Sequence, residues 1–300
     1  MVDGKLTNSI DGAKPATAVD NPRLVEGREG RGLELSGENG VQLSGVGHFT
    51  RVDPFSIGIW VNPAMQSPRA VVLHHSRAWM DAGSRGYELL LENGRPSAGL
   101  HHMWPGNSIK IRTRDSIPTN AWTHLLMTYD GGSRAAGLRL YVNGTQADCD
   151  VLRDGLWKDI TYGGSEPELA VGYRFRDSGF RGGRVDDLRV FNRPLTPLEA
   201  TEVAGREDWR QVWTTPMSSL DAHSRDGLLA FYAATEHAPA RPFREELARL
   251  RKENRELRTE RDILKSRGLL REAPAMRFAW IAAEKAEFSV ADCCRALRVS

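Results

Sequence analysis

Cysteine is scarce: Cys149, Cys293 and Cys294 are the three in a chain of 300 residues. That number cannot build a complete disulfide framework, and adjacent cysteines bridge each other only under strain, so all three are expected as free thiols. Excess charge of one sign is also missing. The 41 Lys+Arg and 39 Asp+Glu leave a formal charge of +2, which excludes a chain built as a whole to coat nucleic acid or an anionic membrane. No apolar run approaches the roughly 20 residues that span a bilayer. The start, Met1-Val2-Asp3-Gly4-Lys5, lacks the charged-then-apolar plan of a secretory leader. A cytoplasmic location without a membrane partner is the expectation. Phosphate-loop, nucleophile-elbow and dinucleotide fingerprints are missing too, because the glycines fall in hairpin signals rather than ahead of a helix.

What is present is ordinary for a globular chain: 40% hydrophobic, 8% aromatic and 27% charged residues. The text is not uniform. Up to about Gly205 it is rich in glycine and alternation, whereas from about Phe243 it becomes a run of Leu, Glu, Arg and Lys. Phe55-Ser56-Ile57-Gly58-Ile59-Trp60-Val61 places every second apolar side chain on one face, the period of a half-buried strand. Similar runs at Tyr87 to Leu91, Lys110 to Thr113, Trp122 to Tyr129, Leu138 to Val142, Leu169 to Tyr173 and Arg184 to Phe191 bring the expected strands to seven. Asn93-Gly94, Asp130-Gly131-Gly132 and Asn143-Gly144 supply tight hairpin turns between them. Hairpins in succession without helical periods predict a mainly β fold, an antiparallel two-sheet sandwich with Ile57, Ile59, Leu126, Leu140, Val171, Leu188 and Val190 in its core. Thr196-Pro197-Leu198-Glu199 carries an N-cap, a first-turn proline and a capping-box glutamate, and predicts a short closing helix.

The segments Phe55 to Val61, Trp122-Thr123-His124 to Tyr129-Asp130-Gly131, Leu138 to Gly144 and Gly183 to Leu195 occur in order. Together they resemble the laminin-G-like, concanavalin A-like jelly-roll family over about residues 1–205. Ser76-Arg77-Ala78-Trp79 and Trp104-Pro105-Gly106-Asn107 further resemble the subgroup found in bacterial proteins that also carry cytochrome-c-like domains, and Arg206 to Leu250 resembles the segment that follows the module there. No Cys-x-x-Cys-His accompanies it, so no haem is expected. The resemblance implies a first strand that is incomplete here, and relatives outside the cytoplasm. It also implies a possible calcium site of carboxylates and carbonyl oxygens at Asp186; an ion pair of Asp186 with Arg184 or Arg193 is the alternative.

Beyond a helical linker over 206–242, Phe243, Leu247, Leu250, Asn254, Leu257, Arg261 and Leu264 recur at spacings of three and four, the seam of a coiled coil over 243–267. A continuous helix from about Pro242 to Lys265 is expected, and homodimerisation through Leu247, Leu250, Asn254, Leu257 and Leu264 follows if the helix does not simply pack on the sandwich or stay solvated. Residues 276–300 predict two short helices, half a helix-turn-helix. The stretch Leu250 to Lys265 followed by Met276-Arg277-Phe278 to Ser300 resembles an IS3-type insertion-element transposase fragment. The resemblance implies a fusion product without the catalytic domain, with at most weak, salt-sensitive nucleic-acid binding.

Eight histidines include the pairs His74-His75 and His101-His102, but neighbours on a strand face opposite ways and zinc-ligand spacing is absent, so no zinc site is expected. His124 is read as structural. Glu88 and Glu92 share one strand face, yet nothing in the sequence singles them out as the facing carboxylates of a glycosidase. Asn143-Gly144-Thr145 forms a glycosylation sequon that its hairpin explains. Trp60 and Trp122 are read as structural, whereas Trp79, Trp104, Trp157 and Tyr162 fall in loops. Flat rings beside Arg, Asn and His donors suit sugars, so Trp79, Trp104, His102, Asn107 and Arg77 are the candidate ligand contacts; plugging of the sandwich ends is the other account of the tryptophans. The expected function is a non-catalytic module recognising a carbohydrate or a protein. A DNA-associated transposase remnant is the runner-up, and a glycan hydrolase on the same fold is a third alternative.

Overall fold

The computed structural model describes residues 14–206 and 209–236. Among these, the strands are β1 (Thr17–Val19), β2 (Arg23–Glu26), β3 (Arg31–Glu34), β4 (Gly40–Leu43), β5 (Phe55–Asn62), β6 (Ala70–His75), β7 (Gly86–Glu92), β8 (Arg95–Met103), β9 (Asn107–Thr113), β10 (Thr123–Tyr129), β11 (Leu138–Val142), β12 (Thr145–Gln146), β13 (Cys149–Gly155), β14 (Leu169–Val171) and β15 (Arg184–Phe191). Helices α1 (Pro197–Val203), α2 (Trp209–Thr214) and α3 (Ala222–Glu236) follow. The strands form an eight-stranded sheet, β1-β4-β14-β6-β7-β8-β9-β13, and a seven-stranded sheet, β12-β11-β10-β5-β15-β3-β2. Their ladders are antiparallel, and the sheets stack as a jelly-roll sandwich.

Alternation builds the core. Phe55, Ile57, Ile59 and Val61 of β5 meet Leu89, Leu91, Leu100, Ile109 and Ile111 from the opposite sheet, each almost fully buried. Full burial of one such side chain stabilises by about 1.5–3 kcal/mol. Of the expected core, Ile57, Ile59, Leu140 and Val171 lie between the sheets. Leu126 is equally buried but on the outer face of its sheet, against Tyr141, Leu195 and Ala200 under α1. Leu188 and Val190 are only half-buried, since a bulge between Asp186 and Arg189 breaks the register of β15 on β5.

Turn chemistry is as the sequence suggests at two hairpins, where Asn93 and Gly94 have φ of 52° and 73°, and Asn143 and Gly144 have 50° and 80°. The capping box also forms: Glu199 N donates to Thr196 Oγ1 while the Glu199 carboxylate accepts from Thr196 N at 2.8 Å. Leu198, Val212, Leu220 and Leu228 then join α1 to α2 and α3 in a small apolar cluster. Among the described residues no helix is long and apolar enough to cross a membrane. The proposed zipper over 243–267, with Leu247, Leu250, Asn254, Leu257 and Leu264, and the segment 276–300 lie outside the described residues.

Candidate functional site: an aromatic pair over a buried ion network

The side chains of β7, β8 and β9 that do not enter the core fall on the outer face of the eight-stranded sheet. Register places Ala170, His74, Glu88, Gly99, Lys110 and Arg153 in one row across six strands. Gly99 contributes no side chain to the row. Lys110 therefore crosses it, and its Nζ reaches Glu88 at 3.1 Å and Glu92 at 2.8 Å. Arg174 Nη1 lies 2.8 Å from Glu88, and Arg69 pairs with Glu92 at 3.1 Å and with Asp177 at 2.7 Å. A second pair, Arg174 to Asp177, completes the network. Its centre lies nearly out of water, with Glu88 and Arg174 at 0% and Lys110 at 2% side-chain exposure, while Arg69 and Glu92 stand at its edge.

Burial by itself would push the Glu88 carboxyl up, but Lys110 and Arg174 outweigh it and hold it well below the usual range. Asp177 is shifted the same way, as Arg69 and Arg174 overcome its burial. The His101 ring, 3.2 Å from Glu88 through Nε2, is pushed down by burial in spite of that carboxylate and stays neutral at pH 7. The ring leans over Gly99, where an added Cβ would come within 2.7 Å of it. Gly99→Ala is accordingly expected to displace His101 and cost about 1–3 kcal/mol. Gly106→Ala, where a Cβ meets nothing within 4 Å, is the control. Urea unfolding of both decides it; equal midpoints would show that His101 has room to move.

Trp79 and Trp104 cover this network. Their centroids are 5.9 Å apart with planes inclined by 38°, and both residues are half-buried. The Arg69 and Arg174 guanidinium groups lie 4.1 and 4.8 Å from the Trp79 centroid, and Lys110 and Arg153 lie 5.1 and 5.2 Å from that of Trp104. His101 meets both rings edge-on. Cations under and beside the rings fix them in place, since each such contact contributes about 0.5–2 kcal/mol.

The other three candidate contacts are placed differently. Asn107 is buried, and its Oδ1 accepts from Trp157 N at 3.0 Å and Lys158 N at 3.4 Å. His102 is also buried, with Nδ1 2.6 Å from the Asp159 carbonyl. Both thus hold the loop that carries Trp157. Arg77 is exposed at the start of the loop closed by Gly83, whose carbonyl accepts from Arg77 N. Met80 and Met103, the chain neighbours of Trp79 and Trp104, are exposed apolar side chains, as are Trp157 and Phe175, and the Phe175 carbonyl accepts from Trp79 N.

Asp186 anchors backbone amides. Its Oδ2 accepts from the amides of Arg28 at 2.8 Å and Glu29 at 3.2 Å, and its Oδ1 from Asp187 N at 2.8 Å. Arg184 pairs with Glu34 and Arg193 with Glu199, so neither takes the role of its ion-pair partner. Among the described residues no group of three or more His, Cys, Asp or Glu is placed to hold a metal ion. The histidine pairs split as strand geometry requires. His74 contacts Ser76 Oγ and the Tyr173 carbonyl, while His75 stacks on Tyr87.

Residues 35–201, more than half of the chain, match the Laminin_G_3 family, described as the concanavalin A-like lectin/glucanases superfamily. The chain belongs to that superfamily. Over 214 residues, 67% of its length, it is 23% identical to the botulinum-like toxin eBoNT/J of Enterococcus sp. (strain 3G1_DIV0629), and it spans 16% of that toxin. Two solved structures are similar to it. One is domain 4 of AbnA, a GH43 extracellular arabinanase from Geobacillus stearothermophilus in complex with arabinotriose, with 20% identity, a TM-score of 0.45 and coverage of 66% of this chain and 92% of that one. The other is the botulinum neurotoxin serotype G binding domain, with 15% identity, a TM-score of 0.47 and coverage of 68% and 48%.

In this lectin/glucanase sandwich the sequence marks the two rings but not what lies beneath them. Lys110, Arg69, Arg174, Asp177 and His101 join residues from four separated stretches of chain. The available signal was alternation: in Tyr87 to Glu92 and Ser108 to Thr113 it puts Glu88, Glu92 and Lys110 on one face.

Proposed function

We propose that the chain is a non-catalytic binding module that holds a carbohydrate on the Trp79–Trp104 face. The observation that carries this is the pair itself, two half-buried tryptophans with rings 5.9 Å apart above a network that leaves them little freedom. Stacking platforms of this kind gain from preorganisation, because their ordering is complete before the ligand arrives. The same network opposes glycoside hydrolysis. That reaction needs one carboxyl that carries a proton at working pH, whereas Glu88 is held well below the usual range and Lys110 bridges it to Glu92.

A protein ligand is the second reading. It is favoured by Phe175 at 65% and Trp157 at 51% exposure together with Met80 and Met103, more apolar surface than one sugar ring covers. A glycan array with wild type and Trp104→Ala tests the first reading. Binding by the wild type, at least about tenfold weaker in the variant, is expected. Equal binding by both would move the site elsewhere, and a wild type that retains no glycan would leave the protein reading.

A further inference from the structure

A second cleft opens on the outer face of the other sheet. It holds about 310 Å³ and is lined by Trp60, Arg28, Glu29, Asp187, Arg189 and Glu202 among others. Local geometry makes it. Trp60 on β5 has His124 of β10 on one side and Asp186 of β15 on the other. The β15 bulge follows immediately, with Asp187 at φ 45°, and it turns Asp187 and Arg189 into a pair at 2.7 Å on the cleft wall. Opposite, Asp186 fixes the β2–β3 turn that carries Arg28 and Glu29 by accepting their backbone amides. The C-terminal end of α1 brings Glu202.

Charge in the cleft is unbalanced. Four carboxylates, Glu29, Asp186, Asp187 and Glu202, face two guanidinium groups. Asp186 is occupied by amides and Asp187 by Arg189, but Glu29 and Glu202 meet no cation within ion-pair distance among the described residues. His124, almost fully buried beside Trp60 at 5.3 Å between rings, has an Nδ1 without a hydrogen-bond partner. The Trp60 face already takes one cation. The exposed Arg28 guanidinium lies 4.9 Å from its centroid, without a carboxylate partner among the described residues.

We propose that this cleft receives the guanidinium of an arginine side chain presented by a partner protein, which takes the place of the exposed Arg28 on the face of Trp60, with Glu29 and Glu202 on the cleft wall. Arg28 shows the geometry from within the chain: a planar cation on that ring is sterically accepted, and aromatic stacking with two carboxylates is the pattern guanidinium groups favour. A metal ion is not the occupant, because the carboxylates do not converge on one point. The site is separate from the Trp79–Trp104 face, so neither assignment depends on the other.

The test uses the full chain, labelled with ¹⁵N, with the indole N–H signals of its eight tryptophans as reporters and Trp60→Phe to identify the signal of Trp60. N-acetyl-argininamide is titrated against a sodium chloride control and against methyl glucoside. The expected result is a saturable shift of the Trp60 signal by the arginine probe alone, with about tenfold weaker binding in Glu29→Gln/Glu202→Gln, the combined loss of two exposed charge contacts. These two side chains are exposed, so the variant tests charge without disturbing the core. A Trp60 shift no larger than in sodium chloride, an unchanged affinity in the double variant, or a response to methyl glucoside in place of the arginine probe would each overturn the proposal.

Discussion

Lys110→Met is expected to cost about 3–5 kcal/mol of folding stability, because it leaves Glu88 and Glu92 without the cation that bridges them out of water. The methionine fills most of the volume, so the loss is electrostatic rather than a cavity effect. Adding Glu88→Gln to Lys110→Met should cost less than the sum of the two single changes, since an amide needs no counter-charge. Urea unfolding of the four proteins measures this. A loss of only about 0–1 kcal/mol for Lys110→Met, the range of exposed pairs, would mean that water reaches the ammonium group and that the network does not anchor the two rings.

Acid is expected to unfold the sandwich in two stages. Burial, with a contribution from Arg174, lowers the His74 imidazole to about 3. Burial beside His48 lowers His75 to about 4, and burial lowers His124 to about 4. An unfolded imidazole titrates near 6.5. Below that pH the unfolded chain takes up protons that the folded chain refuses, so stability that is fully present at higher pH is lost as pH falls from about 6.5 towards 4. At about 1.4 kcal/mol per unit, the three groups together account for on the order of 10 kcal/mol over that range. The carboxylates work lower down. Glu88, Asp177 and Glu199 have depressed folded values, so their stabilisation persists above about pH 4 and is lost below it. Urea midpoints at pH 7.5, 5.5 and 4.5 check the first stage. A midpoint constant down to pH 5 would show that these imidazoles are reached by water, and His75→Phe should flatten the descending limb.

The parts of the fold that were legible in sequence are those where alternation is bounded by turn residues. β5, β7, β10, β11 and β15 each show it, and Asn93-Gly94 and Asn143-Gly144 mark their hairpins. β6 escapes because Ala70-Val71-Val72-Leu73-His74-His75 is buried on both faces and has no period. β8 carries Pro96, Gly99 and two histidines, none of them a strand signal. The short β1 to β4, of three or four residues each, are too brief for a period to show. At the site, Trp79 and Trp104 could be found as loop aromatics. Lys110 could not be placed, since a lysine on a strand's outer face ordinarily points into water. Its burial depends on Trp79, Trp104 and Arg174 arriving from loops distant in sequence, which local patterning does not encode.

A crystal structure of the chain with the best glycan from the array decides whether the Trp79–Trp104 face holds it. An intact saccharide is expected, with a ring in van der Waals contact with Trp79 or Trp104, over an unbroken Lys110 bridge between Glu88 and Glu92. A glycan bound on another face, or a cleaved product lying against Glu88, would contradict it.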